Sequence, residues 1–116
     1  MAENVYEGLF ILDSNRYASD PNATSGFVEK TIQGFDGDIL ASRLWEERRL
    51  AYPIEGHRKG SYWLTYFKID GRKIANITRE LQIDDTVLRT MIVKVEPRLV
   101  DALVSHAAGI VPEEEA

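Results

Sequence analysis

The run Gly60–Ile69, GSYWLTYFKI, limits what this chain can fold into more than any other stretch. Its aromatic and β-branched residues favour a strand, and a strand sends alternate side chains to opposite faces. Trp63, Thr65, Phe67 and Ile69 share one side; Tyr62, Leu64, Tyr66 and Lys68 share the other. Lys68 and the two phenol hydroxyls favour water or a polar partner. The Trp63 side is therefore expected to face a helical layer.

The neighbouring patterns supply the rest of the sheet. Val5–Asp13 reads as a first strand, with Phe10 and Leu12 inward and Gly8 leaving room for a bulky neighbour. Asp20-Pro21 reads as a helix start, with Asp20 as cap and Pro21 at the first helical position. Phe27, Val28, Thr31, Ile32 and Phe35 follow at helical spacing, until Asp36-Gly37-Asp38. Ile39–Tyr52 is long for one strand, so a bulge is expected before Pro53 stops it. Glu55–Gly60 reads as the hairpin loop. After the aromatic strand, Asp70 can cap a second helix from Gly71 to Leu81, with Ile74, Ile77 and Leu81 as its apolar stripe. Asp84-Asp85 reads as a turn, Thr86–Val95 as the fourth strand, and Val100–Val104 as a short helical turn.

The order β-α-β-β-α-β predicts a ferredoxin-like α+β fold: a four-stranded antiparallel sheet with two helices on one face. We expect one domain over residues 1–98, and a C-terminal extension over 99–116 ending in a disordered acidic tail. The open sheet face would carry Leu9, Ile11, Tyr62, Leu64 and Tyr66, which is too apolar for water alone. Either a partner docks there or Leu99–Val104 folds back over it.

The 116 residues carry a net charge of −5, which taken as a sum disfavours nucleic acid. The distribution reads differently. Residues 43–98 hold 12 of the 14 Lys and Arg but 8 of the 19 Asp and Glu. With no cysteine, there is neither a disulfide framework nor a thiolate metal site. No apolar run approaches the roughly 20 residues that span a bilayer, and no signal peptide is visible in Met1–Tyr6, so a cytoplasmic location is expected. His57 and His106 lack ligand partners at metal spacing, so no metal or other cofactor is expected. Glu46 and Glu47, adjacent on a strand, point to opposite faces and cannot act together on one bond. No phosphate loop, nucleophile elbow or dinucleotide fingerprint appears, so an enzyme is not expected.

The basic residues carry more information. Arg43, Arg48 and Arg49 lie on the second strand with Trp45 among them; Arg58 and Lys59 lie in the hairpin loop; Arg89 and Lys94 lie on the fourth strand. Arginine forks match phosphate oxygens, and aromatic faces stack on unpaired bases. The same charges would also protect a sheet edge from aggregation.

Arg48–Ile54 reads RRLAYPI, with Trp45 just before it. This resembles the signature of the bacterial small-subunit ribosomal protein six family. Tyr6-Glu7 at the first strand, the aromatic third strand after Gly60, and VLRTMIVKV from Val87 extend the likeness from about Val5 to Glu96. The resemblance implies a ferredoxin-like structural constituent of the small ribosomal subunit. It implies binding to the central domain of small-subunit ribosomal RNA, as a heterodimer with ribosomal protein eighteen. At matching positions it implies RNA contacts from Tyr6, Arg48, Arg49, Arg89 and Lys94, and partner-protein contacts from Trp45, Arg48 and Tyr52; Tyr62 and Tyr66, on the open face, are expected to touch the partner protein as well. The chain departs from the family at Asn4-Val5, where arginine commonly precedes Tyr-Glu, and at Glu46-Glu47. The alternative is a free-standing RNA-recognition domain for single-stranded RNA. Its stacking positions would map to Ser61 and Trp63, on the side assigned to the core.

Overall fold

Asp13 ends one element and starts the next: its carboxylate accepts from the backbone N–H groups of Asn15 and Arg16, at 2.9 and 3.4 Å. That side-chain cap satisfies donors a helix start would otherwise leave unpaired. The computed structural model describes residues 3–54, 57–83 and 86–107, with backbone alone at 48, 51–54 and 57–58. The elements run β1 Glu3–Asp13, α1 Ser14–Ser19, α2 Pro21–Gly34, β2 Asp38–Ile54, β3 His57–Asp70, α3 Ile74–Ile83, β4 Val87–Lys94 and α4 Val100–Ala107. Short 3-10 turns, Gly71–Lys73 and Pro97–Leu99, lead into α3 and α4.

All neighbouring strands are antiparallel, in the order β2-β3-β1-β4. Phe10 and Leu12 of β1, Trp63, Phe67 and Ile69 of β3, Val28 and Ile32 of α2, and Ile77 and Leu81 of α3 form one buried cluster. The ferredoxin-like α+β arrangement and the inward faces of β1 and β3 are those the alternation predicts. Gly8 gives the room expected of it: a Cβ there would stand 2.6 Å from Phe10 Cζ and 3.2 Å from Phe67 Cε1. The polar groups buried in this layer find partners on β2. Trp63 Nε1 donates to Ser42 Oγ at 2.7 Å, and Ser61 Oγ donates to Glu47 Oε2 at 3.1 Å.

Asp20 caps α2 as expected, accepting from Ala23 N–H at 3.1 Å, with Pro21 at the first position. Asp70 caps the Gly71–Lys73 turn rather than a helix that starts at Gly71. The Arg72 hydrogen bonds beside it hold its carboxyl well below the usual carboxylate range.

The expectations fail in three further places. α1 is absent from the sequence reading; it is too short to show a 3.6-residue period. β2 continues through Pro53 to Ile54, and β3 begins at His57, so Arg58 and Lys59 lie on a strand and not in a loop. Proline is tolerated there because β2 is an edge strand, where an N–H facing outward has no ladder partner to lose. Asp84-Asp85 and the tail from residue 108 lie outside the described residues.

The bulge expected in β2 is there, and more than once. Ile39 and Ala41 pair with the consecutive residues Phe67 and Tyr66, leaving Leu40 extra; Leu44 and Glu46 pair with Trp63 and Tyr62, leaving Trp45 extra. A further register shift lies between Arg49 and Ile54. Bulges of this kind bend the strand and re-aim the extra side chain.

Candidate nucleic-acid and partner interface

The face opposite α2 and α3 is assembled in rows across the strands. Tyr62, Ile11 and Arg89 form one row, with Glu46 of β2 at its end. Arg43, Leu64, Leu9 and Met91 form the next. Ala41, Tyr66, Glu7 and Val93 form the third. Ladder pairing puts directly opposed residues on the same side of the sheet, so these rows belong to one surface.

α4 covers one end of that surface. Val100, Leu103, Val104 and Ala107 pack on Val5, Leu40, Ala41, Leu64, Tyr66 and Val95. The second of the two readings left open for this face therefore holds over part of it: the chain does fold back. Tyr66, expected to touch a partner protein, is 3% exposed beneath α4. Its hydroxyl donates to Glu7 Oε2 at 2.6 Å. Burial first, and the Glu7 carboxylate second, push the phenol pKa above its ordinary value of 10.0.

The other end stays open. Trp45 is 49% exposed, and its ring meets Tyr62 edge-on with centroids 6.4 Å apart. Met91 is 55% exposed, Val93 is exposed, and Leu9 and Ile11 are half-buried. Arg43 and Arg89 flank this apolar strip and are both exposed. Trp45, Tyr62 and Arg89 are thus brought together on one surface.

The remaining site residues do not join them. Arg89 and Lys94 lie an odd number of positions apart on β4, so they face opposite sides. Lys94 pairs with Tyr6, on the helix-covered side. Tyr6, expected to touch RNA, is half-buried there and stacks on Phe67 at 6.1 Å, with Gly71 clearing space for its hydroxyl. Arg49 opposes Lys59 and, by alternation from Glu47, also points away from the open face. The side chains of Arg48, Tyr52 and His57 lie outside the described residues. Met91 and Val93 were missed, although the alternation that sorts β1 and β3 assigns them to the open face.

Elsewhere the charges are engaged. Arg72 pairs with Asp70 at 2.7 Å, Lys73 with Asp36 at 2.8 Å, and Arg98 with Glu96 at 2.8 Å. Among the described residues, Arg43, Arg49, Arg89 and Lys94 have no ion-pair partner. A groove of about 420 Å³ between α1, α2 and β4 is lined by Arg16, Asp20, Thr24 and Thr86. Its polar groups are already satisfied: Arg16 donates to Thr86 Oγ1 at 2.9 Å, and Thr24 Oγ1 lies within hydrogen-bond reach of two backbone carbonyls. Among the described residues no group of three His, Asp or Glu stands where it could hold a metal, and no helix is long and apolar enough to cross a membrane.

The fold and this surface define a ferredoxin-like α+β domain that presents one half of its sheet, apolar and aromatic, with Arg43 and Glu46 at the β2 margin and Arg89 at the β4 margin. The family model for ribosomal protein S6 matches residues 5–94. The small ribosomal subunit protein bS6 of Rhodopirellula baltica is 42% identical over 106 residues, covering 91% of this chain and 76% of that protein. The bS6 protein of Geotalea uraniireducens is 34% identical over 112 residues, covering 97% and 86%. The chain belongs to the ribosomal protein S6 family and is a structural protein of the small ribosomal subunit. The crystal structure of 30S ribosomal protein S6 from Thermotoga maritima superposes with a TM-score of 0.74 at 21% identity, covering 90% of this chain and 99% of that one. The C-terminal domain of MgtC from Mycobacterium tuberculosis shares the fold at a TM-score of 0.56 and 11% identity, covering 81% and 89%. One backbone thus serves differently named proteins, and function has to be argued from the surface.

Proposed function

We propose that this chain binds the central domain of small-subunit ribosomal RNA as one half of a heterodimer with ribosomal protein eighteen, in the cytoplasm. The observation that carries this reading is the uncovered half of the sheet, where Trp45, Tyr62, Ile11 and Met91 lie between Arg43 and Arg89. The apolar strip suits a protein partner, which would remove it from water. The two guanidinium groups suit phosphate oxygens at its margin. Arg49, on the outer strand with Lys59 opposite, offers a second cationic point, and Lys94 and Tyr6 lie at the margin of the other face. Trp45, Tyr62 and Arg89 form the principal contact set of this reading.

An overall negative charge fits a protein that reads RNA as half of a pair rather than alone. Purified small-subunit RNA should therefore retain this chain at moderate salt only when ribosomal protein eighteen is present. Equal retention with and without that partner would overturn the reading, as would none in either case. Free-standing recognition of single-stranded RNA loses its footing, because Ser61 and Trp63 are both buried in the helix-covered layer.

A further inference from the structure

α4 is held to the sheet differently from α2 and α3. Its apolar residues Val100, Leu103, Val104 and Ala107 recur at helical spacing and lie on Leu40, Ala41, Leu64 and Tyr66. Of these four, Ala107 alone is buried, whereas α2 and α3 sink Val28, Ile32, Ile77 and Leu81 completely. Among the described residues, no α4 side chain makes a hydrogen bond or ion pair with the sheet. The eight described residues of α4 fall below the roughly 12–15 that an isolated helix needs. Its helicity therefore depends on docking.

The polar groups beneath do not depend on α4 in return. The Tyr66 hydroxyl already donates to Glu7, so lifting α4 leaves neither group unpaired. A natural hinge adjoins it. Val95 N–H donates to the Val5 carbonyl at 2.8 Å, tying down the end of β4. Glu96 and Pro97 follow, both exposed, and Glu96 makes no side-chain cap to the turn it opens.

We propose that α4 is a displaceable cover, and that an amphipathic helix of the partner protein takes its place on Leu40, Ala41, Leu64 and Tyr66. The proposal rests on the two-component reading above and names how its docking surface is regulated. α4 itself shows that this strip accepts a helix with apolar residues at i, i+3, i+4 and i+7. Leu64 also adjoins Tyr62 and Leu9, so lifting the cover joins the two halves into one continuous apolar surface.

Hydrogen exchange on the intact chain should show α4 amides exchanging at least about tenfold faster than those of β1 and β3, through local opening. Exchange of α4 only in step with the whole sheet overturns the proposal. In the full-length chain, Leu103→Asp should raise affinity for purified ribosomal protein eighteen about tenfold, by removing the closed fraction. Unchanged or weaker binding, self-association by light scattering, or tightening toward RNA alone would each overturn it. If the unaltered chain does not bind ribosomal protein eighteen at all, the functional reading fails, and the exchange experiment still decides whether α4 opens.

Discussion

The two ends of the open sheet face are built from the same kind of residue and end up differently. Each receives an extra residue from a bulge in β2: Leu40 at one end, Trp45 at the other. Leu40 lies under α4, beside the buried Tyr66, while Trp45 remains half exposed against Tyr62. Apolar composition alone does not distinguish a surface the chain keeps for itself from one it offers; what distinguishes them here is whether a later segment returns. The covered end contributes to stability for as long as α4 is docked, and the uncovered end is available for binding without any opening.

Mutations can test that division, starting with the largest effect. Tyr66→Ala removes a buried ring beneath α4 and should cost about 3 kcal/mol in urea unfolding. A cost under ~1 kcal/mol would mean that α4 adds little to the fold. Arg89→Ala should leave stability unchanged, yet weaken binding to small-subunit RNA with ribosomal protein eighteen and lower the salt slope by roughly one. Lys94→Ala, on the other side of β4, should change that slope far less; equal effects would show that RNA reaches both faces.

Tyr66→Phe keeps the ring and loses the donor to Glu7, with an expected cost of about 1 kcal/mol. It should also change the alkaline limb of stability. The unfolded chain releases the phenol proton near the ordinary value of 10.0, while the folded chain retains it. That contribution is full below pH 10 and falls as pH rises toward the higher folded value. Tyr66→Phe should abolish this part of the decline in a pH series of unfolding midpoints. The smallest effect is expected from Trp45→Ala and Met91→Ala, each within about 0.5 kcal/mol by the same measurement. A large loss at either would mean that the open end is part of the core.

Much of this fold was legible because the decisive signals are local. Alternation in Gly60–Ile69 assigns Trp63, Phe67 and Ile69 inward without reference to any other strand, and Asp20-Pro21 marks a helix start by itself. The rest depends on facts that exist only in three dimensions, or on alternation followed across every strand. Pro53 looks like a stop until β2 is known to be an edge. Tyr66 looks available until α4 is known to return. Tyr6 shares a side with Phe10 and Leu12, and Lys94 lies an odd number of positions from Arg89. The alternation already used elsewhere separates both from the open face; the family resemblance grouped them as one site.

The pair of hydrogen bonds astride the second bulge has a kinetic meaning. Trp63 Nε1 to Ser42 lies on one side of Trp45, and Ser61 to Glu47 lies on the other. A hairpin that zipped up one residue out of step would carry Arg43 or Trp45 into the helix-facing layer in place of Leu44, and would strand the indole N–H in a dry interior. Mis-threaded chains would thus meet a steep penalty early, while the sheet is still forming. The position of Trp45 is thereby fixed as the sheet forms.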